Sequence, residues 1–259
     1  MEPDTRQDAI LAMLRIHDRV MTDDLAAHFG VSIQTIRSDL RDLSNAGLTE
    51  RTRGGARRVM SASNRDYGER RKLNAPRKEG IGALAASLIP NNCSVTLNIG
   101  TTTEQVARAL GNHRDLVILS NNINIINMLM GVPSNELILV GGAVRQSDGA
   151  IVGEDAVEFI SRYKVDFAVI GASALDADGS VLDFDTREVS VARAILRNAR
   201  AKILVCDSSK FEITAPVRIC DISELDYVIT DIPPPPRFID AAHKAKTEII
   251  TLDKNNGND

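Results

Sequence analysis

The sequence predicts an α/β chain in two parts, a small N-terminal winged helix-turn-helix head and a larger C-terminal α/β body with a mainly parallel sheet. Three observations carry this. Two short helical patterns meet at Gly30 and are followed by an arginine-rich hairpin. From Glu79 onward, short runs of Val, Ile and Leu alternate with helical patterns. The charge is also split: residues 1–78 hold 15 Lys+Arg against 11 Asp+Glu, and the remainder holds 16 against 24. The positive charge is therefore local, although the whole chain carries a net charge of −4.

In the head, Thr22–Phe29 reads as a short helix capped by Thr22, and Gly30 supplies the positive φ of a tight inter-helix turn. Ser32 reads as the next N-cap. After it, Ile33, Ile36, Leu40 and Leu43 recur at helical spacing and fall on a stripe of about 80°, at about 100° per residue. Gln34, Ser38, Arg41 and Asn45 point the other way. Asn45-Ala46-Gly47 ends this helix, and the run Leu48 to Val59 carries Arg51, Arg53, Arg57 and Arg58 around Gly54-Gly55, with Glu50 as its only acid. That is a hairpin wing suited to phosphates. A spacing match alone fits an ordinary amphipathic core pair; the adjacent arginines favour DNA. In that geometry the second helix enters the major groove, where Gln34 and Arg41 reach base edges, and the wing holds the backbone.

Length and composition bound the rest. A chain of 259 residues, 43% hydrophobic but only 3% aromatic, supports a small domain plus a sizeable aliphatic core. The expected boundaries are 1–58 for the head, 59–78 for a solvated linker containing Arg70-Arg71-Lys72, and 79–259 for the body. Cys93, Cys206 and Cys220 are widely spaced, which supports neither a disulfide framework nor a zinc site and fits a reducing cytoplasm. The charged start and the lack of a long apolar run predict neither export nor a membrane span.

In the body, strands are expected at Val95–Ile99, Leu116–Ser120, Leu137–Val140, Phe167–Ile170, Ile203–Cys206 and Tyr227–Thr230. Helices are expected at Thr103–Leu110, Asn122–Met130, Glu154–Tyr163 and Arg187–Asn198. Strands this continuous in aliphatic residues are covered on both faces, and ligands in such sheets sit beyond the carboxyl ends of the strands. One strand runs into Asn98-Ile99-Gly100-Thr101-Thr102-Thr103, where a glycine, threonine hydroxyls and a helix N-terminus suit a phosphate. A helix merely capped by Thr102 or Thr103 is the alternative. Other polar loops fall at matching strand ends: Asn121-Asn122, Gly141-Gly142 with Arg145, Asp183 to Asp185 before Glu188, and Asp207 to Lys210. Amides and carboxylates there bond polyol hydroxyls, and Arg145 and Lys210 neutralise a phosphate.

These motifs resemble the DeoR family of bacterial transcriptional regulators. The head matches through Val31-Ser32, Thr35-Ile36-Arg37, Asp39-Leu40 and Arg53-Gly54-Gly55-Ala56. The body matches through Ile99-Gly100-Thr101-Thr102, Ile151-Val152-Gly153, Ile170-Gly171-Ala172-Ser173 and Asp207-Ser208-Ser209-Lys210-Phe211. The resemblance implies a cytoplasmic homo-oligomeric repressor, a dimer or tetramer, whose body has a ribose-5-phosphate-isomerase-like fold. It implies operator DNA as one partner and a small phosphorylated effector, such as glycerol 3-phosphate, as the other, with no cofactor and no metal. The expected DNA-facing set is Ser32, Gln34, Thr35, Arg37, Ser38 and Arg41 with Arg51, Arg53 and Arg57. The expected effector set is Asn98, Gly100, Thr101, Thr102, Thr103, Asn121, Asn122, Gly142, Arg145, Asp183, Asp185, Glu188 and Lys210. Ser38 and Asn98 depart from the family pattern, and the amide at 98 can donate where a carboxylate cannot. An isomerase using Glu188 or Asp183 as base is the competing class; the fused DNA-reading head favours sensing.

Overall fold

The computed structural model describes residues 3–17, 19–45, 48–58 and 67–252. The chain divides into two compact units, Met1–Ser61 and Ala62–Asp259.

The first unit contains helix α1 (Pro3–His17), strand β1 (Arg19–Met21), helices α2 (Thr22–Phe29) and α3 (Ile33–Asn45), and strands β2 (Thr49–Thr52) and β3 (Gly55–Arg58). β2 and β3 form the wing, and β1 pairs antiparallel on the other side of β3. Gly30 takes φ 64° as the C-cap of α2, as the turn requires. Gly55 is demanded by close approach, since a Cβ there would sit 2.0 Å from the Val20 carbonyl oxygen. Ser32 caps α3, its Oγ accepting from the Thr35 N–H at 3.1 Å.

Two expectations about these helices are corrected. Thr22 lies inside α2, and Met21 holds the cap position without a side-chain bond; the Thr22 N–H instead donates to the Gly54 carbonyl, tying the helix to the wing turn. Ile33 is 44% exposed, whereas Ile36, Leu40 and Leu43 are buried with Ile10, Leu14 and Leu25. The stripe is right in angle, but its first residue lies at the helix start, beyond the reach of that core. The proposed helix end at Ala46-Gly47 lies outside the described residues.

The second unit begins with helices α4 (Tyr67–Lys72) and α5 (Ala75–Ser87). This corrects the expectation of a linker over 59–78: residues 59–66 lie outside the described residues, and the rest is two helices joined by a turn at Leu73-Asn74 and belongs to the body. Charge density made the segment read as solvated. In fact Lys78 is only 2% exposed and hydrogen-bonded.

There follow β4 (Ser94–Leu97), α6 (Thr103–Leu110), β5 (Val117–Ser120), α7 (Ile123–Leu129), β6 (Glu136–Leu139), the hairpin β7 (Val144–Arg145) and β8 (Ala150–Ile151), α8 (Glu154–Ser161) and β9 (Val165–Ile170). Then come β10 (Ala174–Leu175), β11 (Ser180–Asp183), α9 (Thr186–Arg197), β12 (Ala199–Val205), β13 (Val217–Asp221), β14 (Tyr227–Thr230), α10 (Pro236–Ala245) and β15 (Glu248–Thr251). Seven strands form one sheet in the order β15-β14-β12-β9-β4-β5-β6, with every neighbouring pair parallel.

All six expected strands lie in this sheet. The sequence reading missed β15 and the small antiparallel sheet β10-β11-β13, whose strands are short and interrupted by charge. Side chains alternate between faces: Ala168 and Ile170 join a core with α8, α9 and α10, while Val169 joins the core formed with α5, α6 and α7. Chain order reverses between β4 and β9, and the crevice at such a reversal is where open α/β sheets hold ligands. No helix among the described residues is long and apolar enough to cross a membrane.

Candidate functional site

On the head, Gln34, Arg37, Ser38, Arg41 and Arg51 line one open cleft between α3 and the wing. Gln34, Ser38 and Arg41 project from the side of α3 away from the buried Ile36, Leu40 and Leu43, and Arg51 comes from β2. Arg41 is positioned by a bond from Nη2 to the Ser38 Oγ at 3.0 Å. Ser32 and Thr35 are engaged with one another at the helix start, at 2.8 Å between hydroxyl oxygens, so their first role is structural.

Arg57 differs from the expectation of a free phosphate contact. It faces Glu50 across the wing and donates to both carboxylate oxygens, at 3.0 and 2.9 Å, because strand register places the two directly opposite. Arg53 is exposed, and its carbonyl accepts from Arg19 of β1, a cation that the sequence reading did not single out. It also overlooked the pair that holds the helix in place. Arg6 of α1 donates through Nε and Nη2 to Asp39 at 2.6 and 3.1 Å, and the two residues are 5% and 3% exposed. Buried charges need such pairing.

In the body, a cavity opens at the carboxyl ends of β4 and β9. Its wall contains Asn98, Gly100, Thr101 and Thr102 after β4, Gly171 to Ser173 after β9, Asp183 and Glu188, Lys210 after β12, and Arg70 of α4. Seven residues of the expected effector set are thus brought together. Gly100 takes φ 142°, which permits the sharp turn from strand to helix. The two threonines offered as caps behave differently. Thr103 is fully buried and its hydroxyl donates to the Gly100 carbonyl at 2.7 Å, bracing the turn. Thr102 makes no capping bond and lines the cavity. The first N–H groups of a helix have no partner within it, and those of α6 lie at this loop.

The remaining expected residues support the site from outside the cavity wall. Asn121 donates to the Ile151 carbonyl, Asn122 caps α7, and Gly142 shapes the loop after β6, packed close to Ile151. Asp185 caps α9 and pairs with Arg187. Arg145 is no spare cation for phosphate: it contacts Asp148 at 2.6 Å, Glu188 at 2.5 Å and Asp185 at 3.4 Å. Hydrogen bonding to Asp148 holds its guanidinium above its ordinary pKa. Arg145 therefore steadies the acidic wall.

Sequence reasoning missed Arg70 and Lys78, because both were read as linker. Lys78 donates to the Arg70 carbonyl at 2.5 Å and to the Thr101 hydroxyl at 3.0 Å, and lies 3.9 Å from Asp207. Burial pushes its ammonium down to about 8, against the pull of Asp207. Burial likewise draws Lys210 below its usual value, again opposed by Asp207. Burial opposes ionisation of Asp207, but Lys210, Ser209, Lys78 and Asn74 together hold its carboxyl below the usual range.

At the acidic wall, burial and the neighbouring Asp183 push Glu188 up to about 7 despite Arg145. Two buried atoms at the cavity, Arg70 Nε and Asn98 Oδ1, have no hydrogen-bond partner among the described residues. Unpaired buried polar atoms are costly, so polar company is favoured beside them. The cavity thus has a cationic, N–H-rich side beside an acidic, hydroxyl-seeking one.

Comparison with known proteins agrees with the division of the chain into two units. The DeoR-like helix-turn-helix domain matches residues 6–62, and the DeoR C terminal sensor domain matches residues 73–232. The glycerol-3-phosphate regulon repressor of Escherichia coli (strain K12) is 42% identical over 91% of this chain and 93% of its own length. The protein of the same name from Haemophilus influenzae is 42% identical over 90% and 91%, and the E. coli HTH-type transcriptional repressor CsqR is 33% identical over 95% and 94%.

Among solved structures, ribose 5-phosphate isomerase A from Neisseria gonorrhoeae overlaps 53% of each chain at 13% identity and a TM-score of 0.38. So distant a likeness says nothing about turnover, and the relatives named above are repressors rather than enzymes. With a matching head and a matching sensor body on one polypeptide, the chain belongs to the DeoR family of transcriptional regulators.

Proposed function

We propose that this protein is a transcriptional repressor of a glycerol, glycerol-3-phosphate or related carbohydrate-catabolism regulon, released from its operator by a phosphorylated effector. Glycerol 3-phosphate is the first candidate. The observation that carries the reading is the two-sided cavity. Lys210, Arg70 and the Gly100 loop suit a phosphate dianion, while Asp183 and Glu188 accept hydrogen bonds from hydroxyls. The names of the 42%-identical relatives support the same metabolite class. The protein acts on DNA in the cytoplasm as a symmetric oligomer, a dimer or tetramer, that presents recognition helices to successive major grooves about 34 Å apart.

Effector binding favours an arrangement with lower operator affinity. A difference of about 1 to 3 kcal/mol between the two arrangements corresponds to a weakening of some 5- to 150-fold, with reciprocal weakening of effector binding by DNA. The test is to titrate a panel of polyol and sugar phosphates, glycerol 3-phosphate among them, while following release of a fluorescent operator. Thr102→Glu places a carboxylate against the phosphate side, so this variant is expected to bind operator normally and to ignore the effector. A variant that is still released by the effector overturns the placement of the phosphate.

A further inference from the structure

Helix α4, Tyr67–Lys72, is six residues long and buries none of them. A helix this short is unstable by itself in water, so outside contacts must hold it. Polar contacts are prominent among them. The Tyr67 hydroxyl donates to Glu104 Oε1 at 2.5 Å and accepts from Asn124 Nδ2 at 3.1 Å. The Lys78 ammonium takes the Arg70 carbonyl, Arg70 lies 3.9 Å from Asp148, and Arg71 lies 3.9 Å from Glu104.

Glu104 is fully buried in the first turn of α6, directly after the Gly100 loop, and its Oε2 has no hydrogen-bond partner among the described residues. Asn124 also donates to the Asp148 carbonyl, and Asp148 grips Arg145, whose other end grips Glu188. Both sides of the cavity therefore connect to this one short helix, which also lends Arg70 to the cavity wall. Its start is separated from the end of the wing strand β3 by residues 59–66 alone.

We infer that α4 is the strap through which cavity occupancy reaches the head, and that Tyr67, latched between Glu104 and Asn124, is its positioning residue. The inference rests on the reading of the cavity as the effector site. An anion entering the cavity draws the Arg70 guanidinium away from its long contact with Asp148, which changes the pull on a helix that these polar bonds help to keep ordered. Such low-stability elements respond to ligands first. Burial and the Glu104 contact push the Tyr67 phenol up to about 12, so it stays a hydrogen-bond donor at neutral pH.

Tyr67→Phe removes one oxygen and both latch bonds without touching the cavity wall. In full-length protein, we expect operator affinity and glycerol 3-phosphate affinity, each measured alone, to stay within about threefold of wild type, while the effector's weakening of operator binding falls from about 5- to 150-fold to below about twofold. Hydrogen exchange of the peptide spanning residues 67–72 should accelerate in the variant. If Tyr67→Phe does not fold, Asn124→Ser, which opens the latch from the other side, must show the same loss.

Wild-type coupling in the variant overturns the strap, and so does unchanged exchange over residues 67–72. Failure of the functional reading is distinguished by the wild-type arm. There, no member of the phosphate panel would release the operator, and the strap would fall with that reading.

Discussion

The head and the body both gather cations, but they place them in opposite settings. Arg37, Arg41 and Arg51 stand exposed around an open cleft on the head, whereas Arg70, Lys78, Arg145 and Lys210 crowd among buried carboxylates in the body. Exposed charges are screened by salt and grip a polyanion with little demand on geometry. Partly desolvated charges interact strongly but tolerate one arrangement, which suits recognition of a small ligand. One chain thus uses the same residue types for a broad grip and for a narrow fit.

The largest effect is expected where the head breaks its own pattern. Arg6→Met leaves Asp39 buried without its ion pair, which should destabilise the first unit by about 3–5 kcal/mol in denaturant melts. A loss under about 1 kcal/mol would show that this pair behaves like a surface one.

A similar magnitude applies at the acidic wall of the cavity. Burial and the neighbouring Asp183 push Glu188 up to about 7 from an ordinary 4.5, so the native state holds its proton more tightly than the unfolded chain. Its contribution is fully present below about pH 4.5 and is lost as pH rises through about 7, up to about 3 kcal/mol in all. Glu188→Gln should flatten that part of the stability profile between pH 5 and 8. Equal slopes in the two proteins would count against a strained carboxyl there.

The head's open cations should show smaller, separable effects. Arg41→Ala is expected to cost about 1–3 kcal/mol of discrimination between operator and mutated operator if the guanidinium reads a base edge. Unchanged selectivity would remove that role. Arg51→Ala should weaken all sequences alike and reduce the salt slope by about one unit. Arg57→Ala should change the slope less than Arg51→Ala, because Glu50 already holds its guanidinium in both hydrogen bonds. Equal slopes for the two would mean that DNA displaces Glu50.

Much of this was legible in the sequence for a physical reason: each legible feature repeats at the period of one element. The stripe Ile36, Leu40, Leu43 exposes the opposite face of α3, and the aliphatic runs of β4, β5, β9, β12 and β14 are what a doubly covered parallel strand needs. Loop residues such as Asn98, Gly100, Thr102 and Lys210 could then be assembled, because parallel strands deliver their carboxyl ends to one rim. Arg70 and Lys78 escaped notice because a dense run of charge has the same composition whether it is solvated or folded over a cavity. Arg145 was assigned to phosphate because spacing shows a cation but not the three carboxylates around it.

The amino-acid order by itself determined the helix-turn-helix, the wing, the alternation of strand and helix, and the loop chemistry at the strand ends, all of which follow from short-range periodicity and backbone preference. Only the tertiary structure decided which charges are spent on one another. Arg6 found Asp39, Arg57 found Glu50, and Arg145 found Glu188, while Arg70, only 3.9 Å from Asp148, also faces the cavity. Pairing depends on distances set by the packing of elements far apart in the chain, and burial, which multiplies the strength of each contact, exists only once that packing has formed.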